Sequence, residues 1–311
     1  MEKLIIIFLI CFVLPIESLS QTCCSGGVPV SNSMGLSIKE DSKVVFGLSF
    51  DHHNLSSIYD QNEVTEVNSR KRVTESYLFQ IGTRVKAFNL EALVPYINQK
   101  REINSFIGED FESSNGIGDA AFLIGRDFGG NKNWQVSTGL KMPTGEIVNE
   151  SKNSIRLNAD MQSGTGSWDG IFLFKHFRQL RNNTFYLQGF NTLRGTKREY
   201  EEQLDYKFGN ESQLILGWIK QVVLLSQIFD FGIATRYRLV GENKANGQIV
   251  PSTGGQWLLA NVFSRLYVRN GQTSIAFNVD VPYWVKVNGL QNVPTYRMNF
   301  SIFNELRVKE K

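Results

Sequence analysis

Three histidines are the first residues to weigh for chemistry: His52, His53 and His176. His53 lies on the same side of an extended segment as Asp51, so the two could act as a base and its orienter. No obvious serine partner accompanies them, and no G-x-S-x-G turn occurs. An Asp–His contact of this kind is more often structural. His52 falls on the opposite face, where a surface phospholipase would need it, again without a nucleophile motif. Cys23 and Cys24 are adjacent. In an oxidising compartment they could close a strained vicinal disulfide or pair between molecules. With no histidine close by they do not make a zinc site. These residues point away from an enzyme, a metal centre or a bound cofactor.

A larger polar set shares another property. Asp51, His53, Arg84, Lys86, Asp119, Lys141, Arg236, Arg238, Asn261, Arg265, Asn278, Asp280, Arg297 and Glu305 lie on the polar side of segments that alternate with period two. In 134–142, Trp134, Val136, Leu140 and Met142 share one face, while Gln135, Ser137, Gly139 and Lys141 share the other. In 229–239, Phe229, Phe231, Ile233, Tyr237 and Leu239 oppose Asp230, Gly232, Ala234, Arg236 and Arg238. Strict alternation marks a strand with one apolar and one polar side.

The elements that must position this set are therefore strands. The alternation predicts twelve, near 43–55, 73–88, 90–103, 116–128, 133–143, 167–180, 183–193, 211–222, 228–241, 255–269, 272–287 and 295–307. They are longer than the roughly 5–6 residues of an ordinary strand and reach the 9–11 or so needed to cross an outer membrane. Short links at 89, 129–132, 181–182, 224–227 and 270–271 alternate with longer ones at 56–72, 104–115, 144–166, 194–210 and 242–254; the last, near 288–294, is short. Short inner turns and long outer loops belong to a transmembrane barrel. The expected fold is all-β: a transmembrane antiparallel β-barrel of about twelve strands, covering 43–308. A soluble sandwich would share the alternation but use shorter strands.

The remaining features agree. Lys3, the apolar run 4–16 and Ser18-Leu19-Ser20 form the three parts of a secretory signal peptide over 1–20. Residues 21–42 then form an N-terminal segment that could fold into the lumen as a plug. The net charge of +3 is mild, and no Lys/Arg block suggests a nucleic-acid partner. Aromatic residues make up 12%, with Phe alone contributing 22. Tyr77, Trp134, Tyr237, Tyr283 and Tyr296 fall near strand ends on the apolar face, as in a lipid-interface girdle. The expected surroundings are outer-membrane lipid of a Gram-negative bacterium, with a small-molecule solute inside. The oligomeric state is left open.

Three motifs add a resemblance. Gly116-Ile-Gly-Asp119 opens one strand, Lys141-Met-Pro-Thr-Gly-Glu146 closes the next, and 164–169 reads Gly-Thr-Gly-Ser-Trp-Asp. Over 116–180 this series resembles the outer-membrane transporter-like family named for a putative role in phenol degradation, distantly similar to FadL-like channels. Pro143 and Gly145 would end a strand at the rim, and Gly164 and Gly166 would turn the longest loop. The resemblance implies passive uptake of small hydrophobic or aromatic compounds, with no transferable ligand residue. Two alternatives stay open. Arg236, Arg238, Arg265 and Arg297 could guide anionic solutes such as acidic oligosaccharides, or arginines and acids could pair to fill a structural barrel.

Overall fold

The computed structural model describes residues 43–104, 110–129, 133–150, 154, 156–201, 203–268 and 271–307. The expected leader 1–20 and the expected plug 21–42, with Cys23 and Cys24, lie outside the described residues, as does 308. The strands are β1 Lys43–Asp60, β2 Glu63–Val85, β3 Phe88–Asn104, β4 Asp110–Ile117, β5 Ala121–Phe128, β6 Trp134–Lys141, β7 Asp169–Leu180, β8 Asn183–Leu193, β9 Thr196–Glu201, β10 Leu204–Lys207, β11 Glu211–Leu224, β12 Gln227–Val240, β13 Lys244–Ala245, β14 Gln248–Ile249, β15 Gly255–Val268, β16 Thr273–Val287 and β17 Leu290–Arg307.

Thirteen of these make one ring in the order β2-β1-β17-β16-β15-β12-β11-β8-β7-β6-β5-β3, with β4 also on β3 and β2 bonded back to β3. β4 and β5 follow one another along the same edge of β3, so they hold a single place. The result is a closed, antiparallel, twelve-place barrel. The first strand closes on the last, from Lys43 opposite Arg307 to Asp60 opposite Leu290. Closure removes the unpaired edges that hydrocarbon would not tolerate.

Alternation decides the two faces. In β5, Ala121 and Leu123 are buried while Phe122 and Ile124 are exposed. Around the wall, Leu48, Phe79, Phe122, Phe172, Leu216, Ile233, Val262, Phe277 and Phe300 are exposed outward. An apolar band around the whole circumference far exceeds the patches that soluble proteins leave bare. Lipid is the medium that covers such a band. Trp134 begins β6 at the end where β1 starts and β17 stops, and Tyr283, 57% exposed, stands towards the other end of β16.

Several expectations change. Residues 56–72 and much of 104–115 are not loops: β1 and β2 run on to a turn at 61–62, and β3 and β4 also extend outward. With β17 they raise one side of the barrel, because these strands are 17 to 23 residues long except β4, while β5 and β6 have 8 each. The expected single strand 116–128 breaks at 118–120, where Asp119 turns to other partners. The expected loops 194–210 and 242–254 carry a second sheet, β14-β13-β10-β9. Local pairing of polar strands beyond the band is invisible to an apolar alternation pattern. Lys86, expected to point inward, is exposed in the β2–β3 turn with φ 56°.

The two-faced wall makes a depth-dependent prediction. Val262→Arg, in the middle of β15 and 59% exposed, should cost about 2–4 kcal/mol of folding stability in a bilayer. The same change at Val64, on the hairpin beyond the band, should cost little. Denaturant unfolding in vesicles separates the two.

Candidate functional site: a latched loop above a charge-paired girdle

The three motifs meet at one carboxylate. Asp119 Oδ1 accepts the Gly145 N–H at 3.1 Å. Its Oδ2 accepts the Thr165 N–H at 2.9 Å, the Thr165 hydroxyl at 2.5 Å and Lys141 Nζ at 2.6 Å. Thr144 bridges the strand break, its hydroxyl donating to Gly118 O and accepting from Ala120 N–H, both at 2.8 Å. Lys141 Nζ also lies 2.8 Å from Asp169 Oδ2, and Ser167 donates to Asp169 Oδ1 at 2.9 Å. Asp119, Lys141 and Asp169 are all buried.

The glycines permit this approach. A Cβ on Gly145 would sit 2.6 Å from Gly164 Cα, and one on Gly164 would sit 2.5 Å from Gly145 O. The two backbones touch where any side chain would part them. Gly166 has φ +71°, in the left-handed region. Pro143 follows the end of β6, where its missing N–H breaks no ladder bond.

Held at both ends, the loop 142–168 folds inward. Gln162 and Ser163 are fully buried. The Gln162 side chain accepts from Asn149 N–H at 2.8 Å and donates to Leu157 O at 2.8 Å. Ser163 donates to Asn115 O at 2.9 Å, and Ser114 donates to Met161 O. Arg72 of the raised wall pairs with Asp160 in a 3-10 turn of the loop, Ala159–Met161. The loop thus packs on the inner side of β2 and β4 across the mouth.

From the latch, ion pairs continue from strand to strand around the inner wall. Asp169 pairs with Arg194 at 2.9 Å, Arg194 with Glu211 at 3.4 Å, and Glu211 with Arg238 at 2.8 Å. Arg236 lies 3.3 Å from Asp280, to which Asn261 of β15 donates at 2.9 Å. Arg297 donates to Asp51 at 2.8 Å. Near the end where β1 starts and β17 stops, Arg84 pairs with Asp127 at 2.6 Å. Charges buried in this way need partners, because a lone one costs several kcal/mol, roughly 3–5 when a pair is broken. A cavity of ≈ 20 Å³ lies among His53, Gln213, Arg236, Arg238, Leu259, Asp280, Pro294 and Arg297. It has room for about one water.

Two apolar clusters flank the girdle. Leu55, Val240, Trp257, Leu259, Val285, Val287 and Val293, with Tyr59, lie at the loop-bearing mouth. Leu78, Leu93, Ala121, Leu123, Ile171, Leu173 and Phe190 lie beneath the latched loop.

No family model matches the chain, and no curated protein resembles it in sequence. Among solved structures, an outer-membrane channel from Pseudomonas putida F1 superposes with a TM-score of 0.68 and 12% identity, over 86% of this chain and 96% of that one. The chain is an outer-membrane β-barrel. Two looser likenesses carry no weight for function. They are the transport unit of the autotransporter AIDA-I from Escherichia coli (TM-score 0.48, 12% identity, 90% and 95% covered) and a mutant of the TodX monoaromatic hydrocarbon channel (0.44, 8%, 88% and 92%).

Within this barrel the sequence-predicted residues divide into groups. Asp119, Lys141, Gly145, Gly164 and Gly166 assemble the latch. Arg236, Arg238, Asp280, Arg297 and Asp51 belong to the girdle, and Asp51 engages Arg297 rather than His53. His53 is buried against the cavity. Arg84 sits apart with Asp127, and Arg265 stands opposite Asp230 on β12. His52 faces outward, 3.2 Å from Glu75 and stacked on Tyr296. Sequence reasoning did not assign Arg194, Glu211, Thr165 or Asp127. Arg194 and Thr165 lie in connections, where no alternation signals an inner face. Glu211 and Asp127 close strands at their ends, and their parity was the available signal.

Two predictions follow from the mouth. Asp119→Ala leaves Lys141 and Thr165 without their shared acceptor and should free the loop. Hydrogen exchange should rise in 144–165 while β7 and β8 stay protected. In the outer sheet, Tyr200 lies 4.4 Å beneath Arg156, and burial pushes its hydroxyl up from 10.0 to about 12. Tyr206 is raised by the same cause. A raised phenol stabilises the folded form fully below its unfolded value near 10 and loses that contribution as pH climbs towards 12. Protease nicking of this sheet should therefore increase over that interval, and Tyr200→Phe with Tyr206→Phe should remove the dependence.

Proposed function

We propose that this barrel is a passive outer-membrane channel for small hydrophobic or aromatic molecules, with the loop 142–168 as its gate. The observation that carries the reading is the pairing of apolar inner clusters with a girdle whose cations face acids. Trp257, Leu259 and Val293 at the mouth, and Leu93, Leu123, Ile171 and Phe190 beneath the loop, are packed and buried; once the loop moves aside they would offer an apolar solute a matching surface. The resemblance of the three motifs to the transporter-like family named for phenol degradation supports the same solute class. The loop packs on the inner side of β2 and β4 across the mouth, so its displacement would open the lumen.

The anion-guiding alternative is less well supported. Arg84, Arg194, Arg236, Arg238 and Arg297 each lie within 3.4 Å of a carboxylate, which cancels much of the field that would draw anions. Uptake of a labelled monoaromatic hydrocarbon by cells carrying the protein decides between them. Faster entry than in cells lacking it, with a further rise in Asp119→Ala, is the expected result. No difference in entry, together with an anion-selective current lost in Arg236→Ala with Arg238→Ala, would overturn the assignment to hydrophobic solutes in favour of the anion-guiding pore.

A further inference from the structure

The lipid-facing wall is not uniform at the end where β1 starts and β17 stops. On β5, β7 and β11, outward positions near that end hold Arg126, Arg178 and Lys220, all exposed. Their register neighbours confirm the outward face: Arg126 stands opposite Phe88 and Val136, Arg178 opposite Phe185, and Lys220 opposite Asn183 and Phe231. Arg126 lies 5.9 Å over the Phe88 ring. Among the described residues none of the three has an acidic partner, and the outward positions of β5, β6, β7, β8 and β11 hold no Asp or Glu.

Elsewhere around the same end the outward strand positions carry no charge: Val85 on β2, Phe229 on β12, Leu266 on β15, Ile275 on β16 and Leu306 on β17 are apolar, and Thr83, Ser264, Thr273 and Asn304 are neutral. The cations are therefore confined to one sector. The sector also carries indoles. Trp134 lies against His176, tilted with ring centroids 4.0 Å apart, and Trp218 donates to Asn183 at 3.1 Å. Indoles mark headgroup depth. A cation on a lipid-facing strand costs little there only if it reaches water or an anion. β1 starts and β17 stops at this end, and the tight turns at 86–87, 181–182 and 225–226 lie here, which makes it the periplasmic one. The leaflet it meets is built of glycerophospholipid.

We propose that this sector is a binding surface for an anionic glycerophospholipid of the periplasmic leaflet. Arg126, Arg178 and Lys220 would engage the headgroup phosphates, and Trp134 and Trp218 would flank the glycerol region. Charge complementarity identifies the partner: three cations with no acid beside them among the described residues, at the depth of the indoles. Each juxtamembrane cation contributes about 1 kcal/mol of attraction to such lipid, roughly fivefold in affinity.

The test compares the full chain with Arg126→Gln/Arg178→Gln/Lys220→Gln. Both are reconstituted in phosphatidylcholine vesicles with or without phosphatidylglycerol, extracted in mild detergent and weighed intact by mass spectrometry. Wild type should retain phosphatidylglycerol in preference to phosphatidylcholine, and the preference should fall by roughly fivefold for each charge removed. A control, Lys244→Gln with Lys286→Gln at the opposite end, should keep it. Equal retention of the two lipids by wild type, an unchanged preference in the triple variant, or an equal loss in the control would each overturn the proposal. Single substitutions at Arg178 or Lys220 give the same readout if the triple variant does not fold.

Discussion

In hydrocarbon a backbone N–H or C=O without a partner costs several kcal/mol, and every other property of this protein is arranged around that constraint. The ring of β2 through β3 meets it by closing, so the lipid-facing ladder has no edge. Closure then forces a choice of face for every side chain. Outward positions within the hydrocarbon must be apolar, and inward positions receive whatever polar residues the alternation leaves. A buried polar interior is thus a consequence of the wall, and its charges must find each other.

The solution inside is lateral pairing. Adjacent inward positions on neighbouring strands lie about 5 Å apart, close enough for Asp169, Arg194, Glu211 and Arg238 to alternate in sign and pair in sequence. The same logic anchors the long loop. Asp119 sits where β4 gives way to β5, and that break frees its carboxylate to hold Lys141, Gly145 and Thr165 together. The broken strand is therefore part of the site rather than a defect in the ladder. Gly145 and Gly164 complete it, because only bare backbone can come so close.

Much of this was legible in the chain. The twelve barrel positions, the two-faced wall and the inward set from Asp51 to Arg297 follow from period-two alternation, which depends only on where each Cβ points. The motif glycines were recognisable as turn or contact positions, yet their partners were not. Gly145 and Gly164 meet across a loop whose path no local pattern encodes. The outer sheet β9, β10, β13 and β14 went unseen because polar strands beyond the membrane carry no apolar rhythm, and Lys86 was misplaced because a turn cancels parity.

What the sequence by itself determined is the barrel: alternation, strand length and loop asymmetry are local quantities, and hydrocarbon admits few answers to them. What only the tertiary structure decided is which charges meet. Asp51 could have served His53 two residues away, but the register of β1 on β17 gives it Arg297. Arg194 could have been one more loop cation, but the ends of β7 and β11 bring Asp169 and Glu211 to it. Pairing depends on strand stagger and loop path across tens of residues, and those are set only when the ring closes.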